Sequence, residues 1–585
     1  MSFTPQARLV NPRLGIYFGI FASTFAAVAI LLLIFEQLGA PPDVLQWSML
    51  VVPVVLYAAI GLASATDEPL DYFAGGRRVP AGFNGVALAV SAAGGTGLVA
   101  LTGVFFFNGF DAWSIAIGFS AGFVVMAVAI APYYRKCGSF TVPGYFGRRF
   151  DSRVLRLMTA AVAAVPILLV IAAELRIGMF AAAWLTGLDR STAAFALTMV
   201  IVVTVSLGGM RSLTWSGVAQ SIAALLALLV PTVVVAVILT NLPLPQLSYG
   251  PVLRNLARAE QVQGLSMQTL PPFAYELAGS GLAAIAQRFA APFGSIGPAA
   301  FAVLSLTVMA GIAAAPWLVP RCGTTPGVYE ARKSLGWSLV VFGVAVLTVS
   351  AAAVFMRVAV MDTLAGKPID QSPDWFRTLG VLGHVGYERI DAAVSTFPVS
   401  AFGFRRDAIL FALPMAAELP SVVLHLALAG AIAAVLAAAG AAAMALAAIV
   451  TEDIVFGLTK PPPDTLRLTA GRLGLAAAAV GGAWIAVEVP ADPLHLLLWA
   501  LAIGASALFP VLVLSIWWTQ FNVWGCGAGM TAGFAAAVAA ILAGESQMLG
   551  VHSVLAGAFG IPAGFAAAAA VTALVPASNA GEQDI

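Results

Sequence analysis

Charge is what this 585-residue chain has least of: only 9% of its residues are Asp, Glu, Lys or Arg, while 61% are hydrophobic. Soluble domains carry about 25% charged residues, so a water-facing surface of this size is excluded. The net charge of +1 leaves no basic or acidic field, and no nucleic-acid partner is expected. Histidine is scarce too, with four residues in all. No HExxH, Walker loop, or membrane-depth Ser–His or paired-carboxylate set is present, so an enzyme is not expected. The three cysteines, Cys137, Cys322 and Cys526, show neither CxxC pairing nor metal-ligand spacing. They are expected on cytoplasmic loops as reduced thiols, and no resident cofactor is implied.

What fills the chain instead is a succession of apolar runs from end to end. In hydrocarbon every backbone N–H and C=O must be paired internally, so continuous apolar runs become helices. The runs do not alternate with period two, which excludes a β-barrel. Spans are predicted at 14–35, 46–66, 84–108, 112–132, 154–184, 191–207, 214–241, 297–319, 335–360, 421–449, 466–488, 493–518, 525–545 and 550–576. The expected fold is therefore an all-α integral membrane protein of about fourteen transmembrane helices. The first run is about 22 residues, too long for a signal peptide and long enough to cross ~30 Å; it is read as a retained helix. The runs rich in Ala and Gly, above all 431–449, are suited to close helix packing where lipid supplies no hydrophobic drive.

The basic residues orient this layout. Arg77, Arg78, Arg135, Lys136, Arg148, Arg149, Arg153, Arg156, Arg211, Arg321, Arg332 and Lys333 all fall on one side, whereas the short loops of the other side hold only Arg190. By the positive-inside rule the first side is cytoplasmic, and both termini are predicted there, in a multi-pass protein of the cell inner (plasma) membrane. Two long polar loops, 242–296 and 361–420, fall on the outer face, where they could cover an entrance and hold short amphipathic helices.

Two runs carry residues that break helices. Ser91-Ala92-Ala93-Gly94-Gly95-Thr96-Gly97 lies inside the span 84–108, and Gly311-Ile312-Ala313-Ala314-Ala315-Pro316-Trp317 lies near the inner part of 297–319. Glycine permits unwound backbone and proline frees a carbonyl four residues earlier. Paired interruptions in two halves of a membrane protein mark the midplane site of many secondary transporters. Exposed N–H groups attract anions there, and freed carbonyls attract cations. Ser91, Gly94, Gly95, Thr96, Gly97, Gly311, Pro316 and Trp317 are thus candidate substrate-binding residues. Glu174 and Arg176 are ionisable at membrane depth, which is expensive and usually functional. They are two residues apart and so point to nearly opposite helix faces. Arg176 is a candidate for holding a substrate carboxylate by a bidentate pair.

Asp71-Tyr72-Phe73-Ala74-Gly75-Gly76-Arg77-Arg78-Val79-Pro80, then Phe83-Asn84-Gly85, resembles the sodium:solute symporter family. So do Asn108-Gly109-Phe110-Asp111, Gly208-Gly209-Met210 with Thr214-Trp215, Pro316 to Arg321 with Glu330-Ala331-Arg332-Lys333-Ser334, Phe509-Pro510 with Trp517-Trp518, and Gly525 to Gly533. The sequence is most similar to the acetate and monocarboxylate permease branch. The resemblance implies a LeuT-type core of five plus five inverted-repeat helices, here 84–241 and 297–518. Two peripheral helices in 1–66 and two C-terminal helices with a short tail in 525–585 would flank it. It also implies sodium-coupled symport by alternating access.

The family's sodium site uses backbone carbonyls, here those of Ala89, Ala92 and Ala434, together with two adjacent hydroxyls. The hydroxyl positions align with Ala437 and Ala438, which have no side-chain oxygen. The aspartate usual in the first broken helix aligns with Ser91, and the acid expected after the Gly-Gly turn aligns with Gly217. The expected function is import of a small solute, such as acetate, with sodium as coupling ion. The alternatives are proton coupling, or a non-transporting sensor or partner subunit that keeps the fold. Membrane lipids and a small membrane partner subunit are the other partners considered.

Overall fold

A computed structural model describes residues 13–265, 281–387, 398–457, 462–545 and 552–575; Arg8 and the tail 577–585 lie outside them. The described residues are mostly helical. Among the described residues eleven helical stretches are long and apolar enough to cross a membrane, and Arg190–Val205 and Pro298–Ala313 are shorter apolar helices. One stretch, Ala81–Cys137, runs for 57 residues, about 85 Å at 1.5 Å per residue, more than one crossing. It turns at Gly109, and the spans expected at 84–108 and 112–132 are its two limbs.

Burial sorts these helices. The Ser421–Val455 stretch is 89% buried across its most apolar window, whereas Leu14–Gln37 is 11% buried. The Ala-rich stretch is thus the centre of the bundle, and the first helix lies on its rim. Small side chains make this possible: the Ser421–Ala448 helix packs against Arg153–Thr186, Met210–Thr240 and Ala81–Gly95. A Cβ on Gly430 would overlap the Ala227 side chain. Without hydrophobic drive between helices in lipid, this close approach supplies the dispersion contact that holds them.

The two long loops are built structures. The first holds the helix Pro245–Val262, and the second holds Asp374–Val381 and leads into Ile409–Ala416. Three short strands join the loops in one antiparallel sheet, β1 (Ala283–Ala284), β2 (Val385–Tyr387) and β3 (Phe402–Phe404), in the order β1-β3-β2. Phe404 is paired with both Ala283 and Val385. Asp111 ties the first loop to the core by accepting from the Phe293, Ser295 and Ile296 amides and the Ser295 hydroxyl.

The cysteine expectation is corrected for Cys526, which is in a helix and not a loop. Cys526 lies within the Val523–Glu545 helix and Cys322 within a 3-10 turn, and both are buried; only Cys137, ending the Ala131–Cys137 helix, is partly exposed. A thiol packs as a small apolar group, so hydropathy alone could not separate these positions from loops.

Candidate solute and ion pathway

The first broken helix is interrupted at one residue. Helix Ala81–Gly95 ends with Gly94 at φ 64° and ψ −171°, a conformation essentially confined to glycine. A wide turn over Thr96–Ala100 follows, and α-helix resumes over Leu101–Asn108. Ser91, Gly94, Gly95, Thr96 and Gly97 are all buried. The amide groups freed by the break face a buried carboxyl group. Glu174 accepts from the Gly95 amide at 2.7 Å and, more weakly, from the Thr96 amide. Its side chain is 1% exposed, and a Cβ on Gly94 would collide with it. Among the described residues no Lys, Arg or His forms an ion pair with it.

The second interruption takes a different form. Helix Pro298–Ala313 ends outright, well short of the expected 319, and a turn leads to the 3-10 segment Val319–Thr324. Pro316 lacks the N–H that the next helical bond needs. Gly311 lies in the last helical turn, against the carbonyl of Leu501, while Pro316 and Trp317 lie beyond the helix end, with Trp317 buried. The two interruptions are bridged by helix Pro493–Ala507, which packs against both Thr96–Ala100 and Pro298–Ala313. A direct polar link joins the inner parts: the Asn84 side-chain amide donates to the Arg321 carbonyl at 3.2 Å.

Glu174 and Arg176 are parted by the helix they share. Arg176 is half-buried, donates to the Val489 carbonyl, and lines a cavity of about 320 Å³ with Arg190, Arg405, His384, Trp184 and Phe180. The cavity opens on the face that carries the long loops. Its wall is cationic and aromatic: the Arg405 guanidinium lies 4.6 Å from the Phe180 ring centre, and the Trp184 and His384 rings are 4.3 Å apart. Burial, and then the charge of Arg405, push the His384 imidazole down to about 4, so it is neutral at pH 7. The one carboxylate in the wall, Asp407, is paired with Arg406 at 2.7 Å.

At the expected sodium position, Ala89, Ala92, Ala434, Ala437 and Ala438 are all buried where helices Ala81–Gly95 and Ser421–Ala448 meet. The Ser91 hydroxyl donates to the Ala437 carbonyl at 3.3 Å and joins the two helices.

Sequence reading passed over Arg357 and placed Arg321 among the basic residues of the cytoplasmic side. Arg357 is fully buried, pairs with Glu260 at 2.5 Å, and donates to the carbonyls of Phe106 and Gln287. It therefore clamps the first long loop onto the end of the broken helix. Its signal was present as a charge inside the run VFMRVAV. Arg321 is equally buried, but its place near a helix end gave no such warning.

A bundle centred on small residues, with two interrupted helices bridged inside it and a cationic cavity at one mouth, defines a membrane transporter. The chain belongs to the sodium:solute symporter family, whose model matches residues 72–370 and 404–533. It is 27% identical to an uncharacterised symporter of Cupriavidus necator over 96% of each chain. It is 24% identical to a monocarboxylic acid transporter of Corynebacterium glutamicum over 86% of this chain and 84% of that one. Among solved structures, the substrate-bound outward-open Na+-coupled sialic acid symporter superposes with a TM-score of 0.67, at 15% identity, over 91% of this chain and 98% of that one. The fold is the LeuT type. The protein is a multi-pass membrane solute symporter.

Proposed function

We propose that this symporter imports a small monocarboxylate, of the size of acetate, across the inner membrane. The observation that carries the reading is the cavity beside Arg176: three arginines line it, and its single aspartate is already engaged by Arg406. A low-dielectric cleft lined by one sign of charge concentrates small anions, and a guanidinium matches a carboxylate in bidentate geometry. The monocarboxylic acid transporter among the relatives supports the same substrate class. The cavity faces outward in this reading, because Arg77, Arg78, Arg135, Arg148 and Arg156 gather at the opposite ends of the helices. Both termini are then cytoplasmic.

Sodium is the coupling ion that family membership favours, with the carbonyls of Ala89, Ala92 and Ala434 and the Ser91 hydroxyl as its donors. A second reading, proton coupling, is favoured by one observation. Glu174 is the ionisable group at the break in the first helix, and it can carry a proton where Ala437 and Ala438 offer no hydroxyl. Protonation would weaken its hold on the Gly95 amide and free that N–H for a solute carboxylate.

The test is uptake of labelled acetate, larger carboxylates and amino acids into proteoliposomes under separate sodium and proton gradients. Acetate accumulation is expected, with KM raised about tenfold or more by Arg176→Ala, the loss of one charge-assisted pair. Unchanged kinetics in a folded Arg176→Ala protein reject the role of that residue. Accumulation driven by sodium alone and unaffected by Glu174→Gln rejects proton coupling.

A further inference from the structure

Arg321 is a buried charge without a counter-charge. Its side chain is 0% exposed, and Nε, Nη1 and Nη2 all lack a hydrogen-bond partner. Its main chain is well held: the carbonyl accepts from Asn84 Nδ2 and from Thr324 Oγ1. The side chain is buried, and none of its donors meets an acceptor among the described residues. Among these residues no carboxylate forms an ion pair with it. An isolated ion in a medium of low dielectric is costly by several kcal/mol even after relaxation. A guanidinium does not escape by losing its proton.

Space for a counter-ion lies beside it. Gly217, on helix Met210–Thr240, has only two neighbours near the position a Cβ would take: Ala87 Cβ at 3.8 Å and Arg321 Nη2 at 3.9 Å. That position is open, apolar on one side and cationic on the other. Four residues before Arg321, the buried Trp317 indole N–H also lacks a partner. The unpaired guanidinium nitrogens of Arg321 therefore lie beside a position with room for at least one heavy atom.

We propose that Arg321, with the gap at Gly217, forms a binding site for a small monovalent anion, distinct from the cavity at Arg176. The anion is a halide or the carboxylate group of a small acid. Its role is to neutralise Arg321 between helices Ala81–Gly95 and Met210–Thr240, so that these two elements stay packed when the anion is bound.

The test uses the purified full-length protein in detergent, exchanged into sulfate at fixed ionic strength, since sulfate is too large and too highly charged for the gap. Thermal midpoints are followed by tryptophan fluorescence while chloride, bromide or acetate is added. A saturable rise in midpoint is expected in the wild type. Gly217→Asp puts a tethered carboxylate opposite the guanidinium, and it should raise the midpoint in sulfate and abolish the response. Gly217→Ala fills the gap at ordinary contact distance and should weaken the apparent affinity about tenfold, one charge-assisted contact. Bromide diffraction should place an anomalous peak beside Arg321. Competitive inhibition of labelled acetate uptake by bromide identifies the occupant as substrate carboxylate; uptake that instead requires halide identifies it as a fixed counter-ion. A wild-type midpoint indifferent to all three anions overturns the proposal, and so does an undiminished response in Gly217→Ala. The chloride and bromide arms do not depend on acetate being the cargo, so failure of the monocarboxylate reading and failure of this site are separately visible.

Discussion

Gly94→Ala is the sharpest perturbation of this structure, because one methyl group meets two obstacles. The backbone at φ 64° and ψ −171° is open only to glycine, and forcing another residue there costs about 1–3 kcal/mol. The new Cβ would also run into the Glu174 carboxylate. Moving that group gives up its 2.7 Å bond from the Gly95 amide, a hydrogen bond worth about 0.5–1.5 kcal/mol. Together these come to roughly 1.5–4.5 kcal/mol, a large share of the ~5–15 kcal/mol that separates folded from unfolded states. The same helix supplies the control: Gly82 has ordinary helical geometry and nothing within 4 Å of its Cβ position. Gly82→Ala should therefore be neutral or slightly stabilising. The assay pairs thermal midpoints in detergent with solute uptake in proteoliposomes. Gly94→Ala should lower the midpoint markedly and abolish uptake. Adding Glu174→Ala should recover part of the stability, since the collision is gone and only backbone strain remains, without recovering uptake. A Gly94→Ala protein with wild-type midpoint and wild-type uptake would refute the reasoning.

Glu260→Ala leaves Arg357 buried without its partner, which should cost about 3–5 kcal/mol, whereas Glu260→Leu with Arg357→Met should cost far less; thermal midpoints of the two variants decide. If arginines at the cavity mouth gather anions, the KM for acetate should rise with ionic strength while the maximal rate stays nearly constant, since long-range steering is screened within ~10 Å at 0.1 M salt. A KM independent of salt would count against that role. His384 has a folded value of about 4 against an ordinary 6.5, so the unfolded chain binds the extra proton first. Its contribution to stability is therefore present above pH 6.5 and lost as pH falls toward 4. His384→Gln should flatten the midpoint-against-pH curve in that window and leave it unchanged above pH 7.

Much of this protein follows from one-dimensional facts. Continuous apolar runs with almost no charge leave the backbone no option but helix in lipid, so the membrane class and the helical fold are fixed by composition and run length. The break in the first span is legible in the same way, because Gly94-Gly95-Thr96-Gly97 removes the side-chain constraint that keeps a helix wound. The opposite facing of Glu174 and Arg176 follows from helical periodicity alone. The tertiary structure decided what those breaks meet. A residue 79 positions away supplies the carboxyl oxygen that caps Gly95, and no local pattern could assign Glu174 to that amide rather than to solvent. The end of the second helix at Ala313, the clamp from Arg357 to the first long loop, and the isolation of Arg321 are of the same kind. Each depends on which side chains of distant segments arrive at one point, and burial of a charge becomes costly or useful only when its neighbours are known.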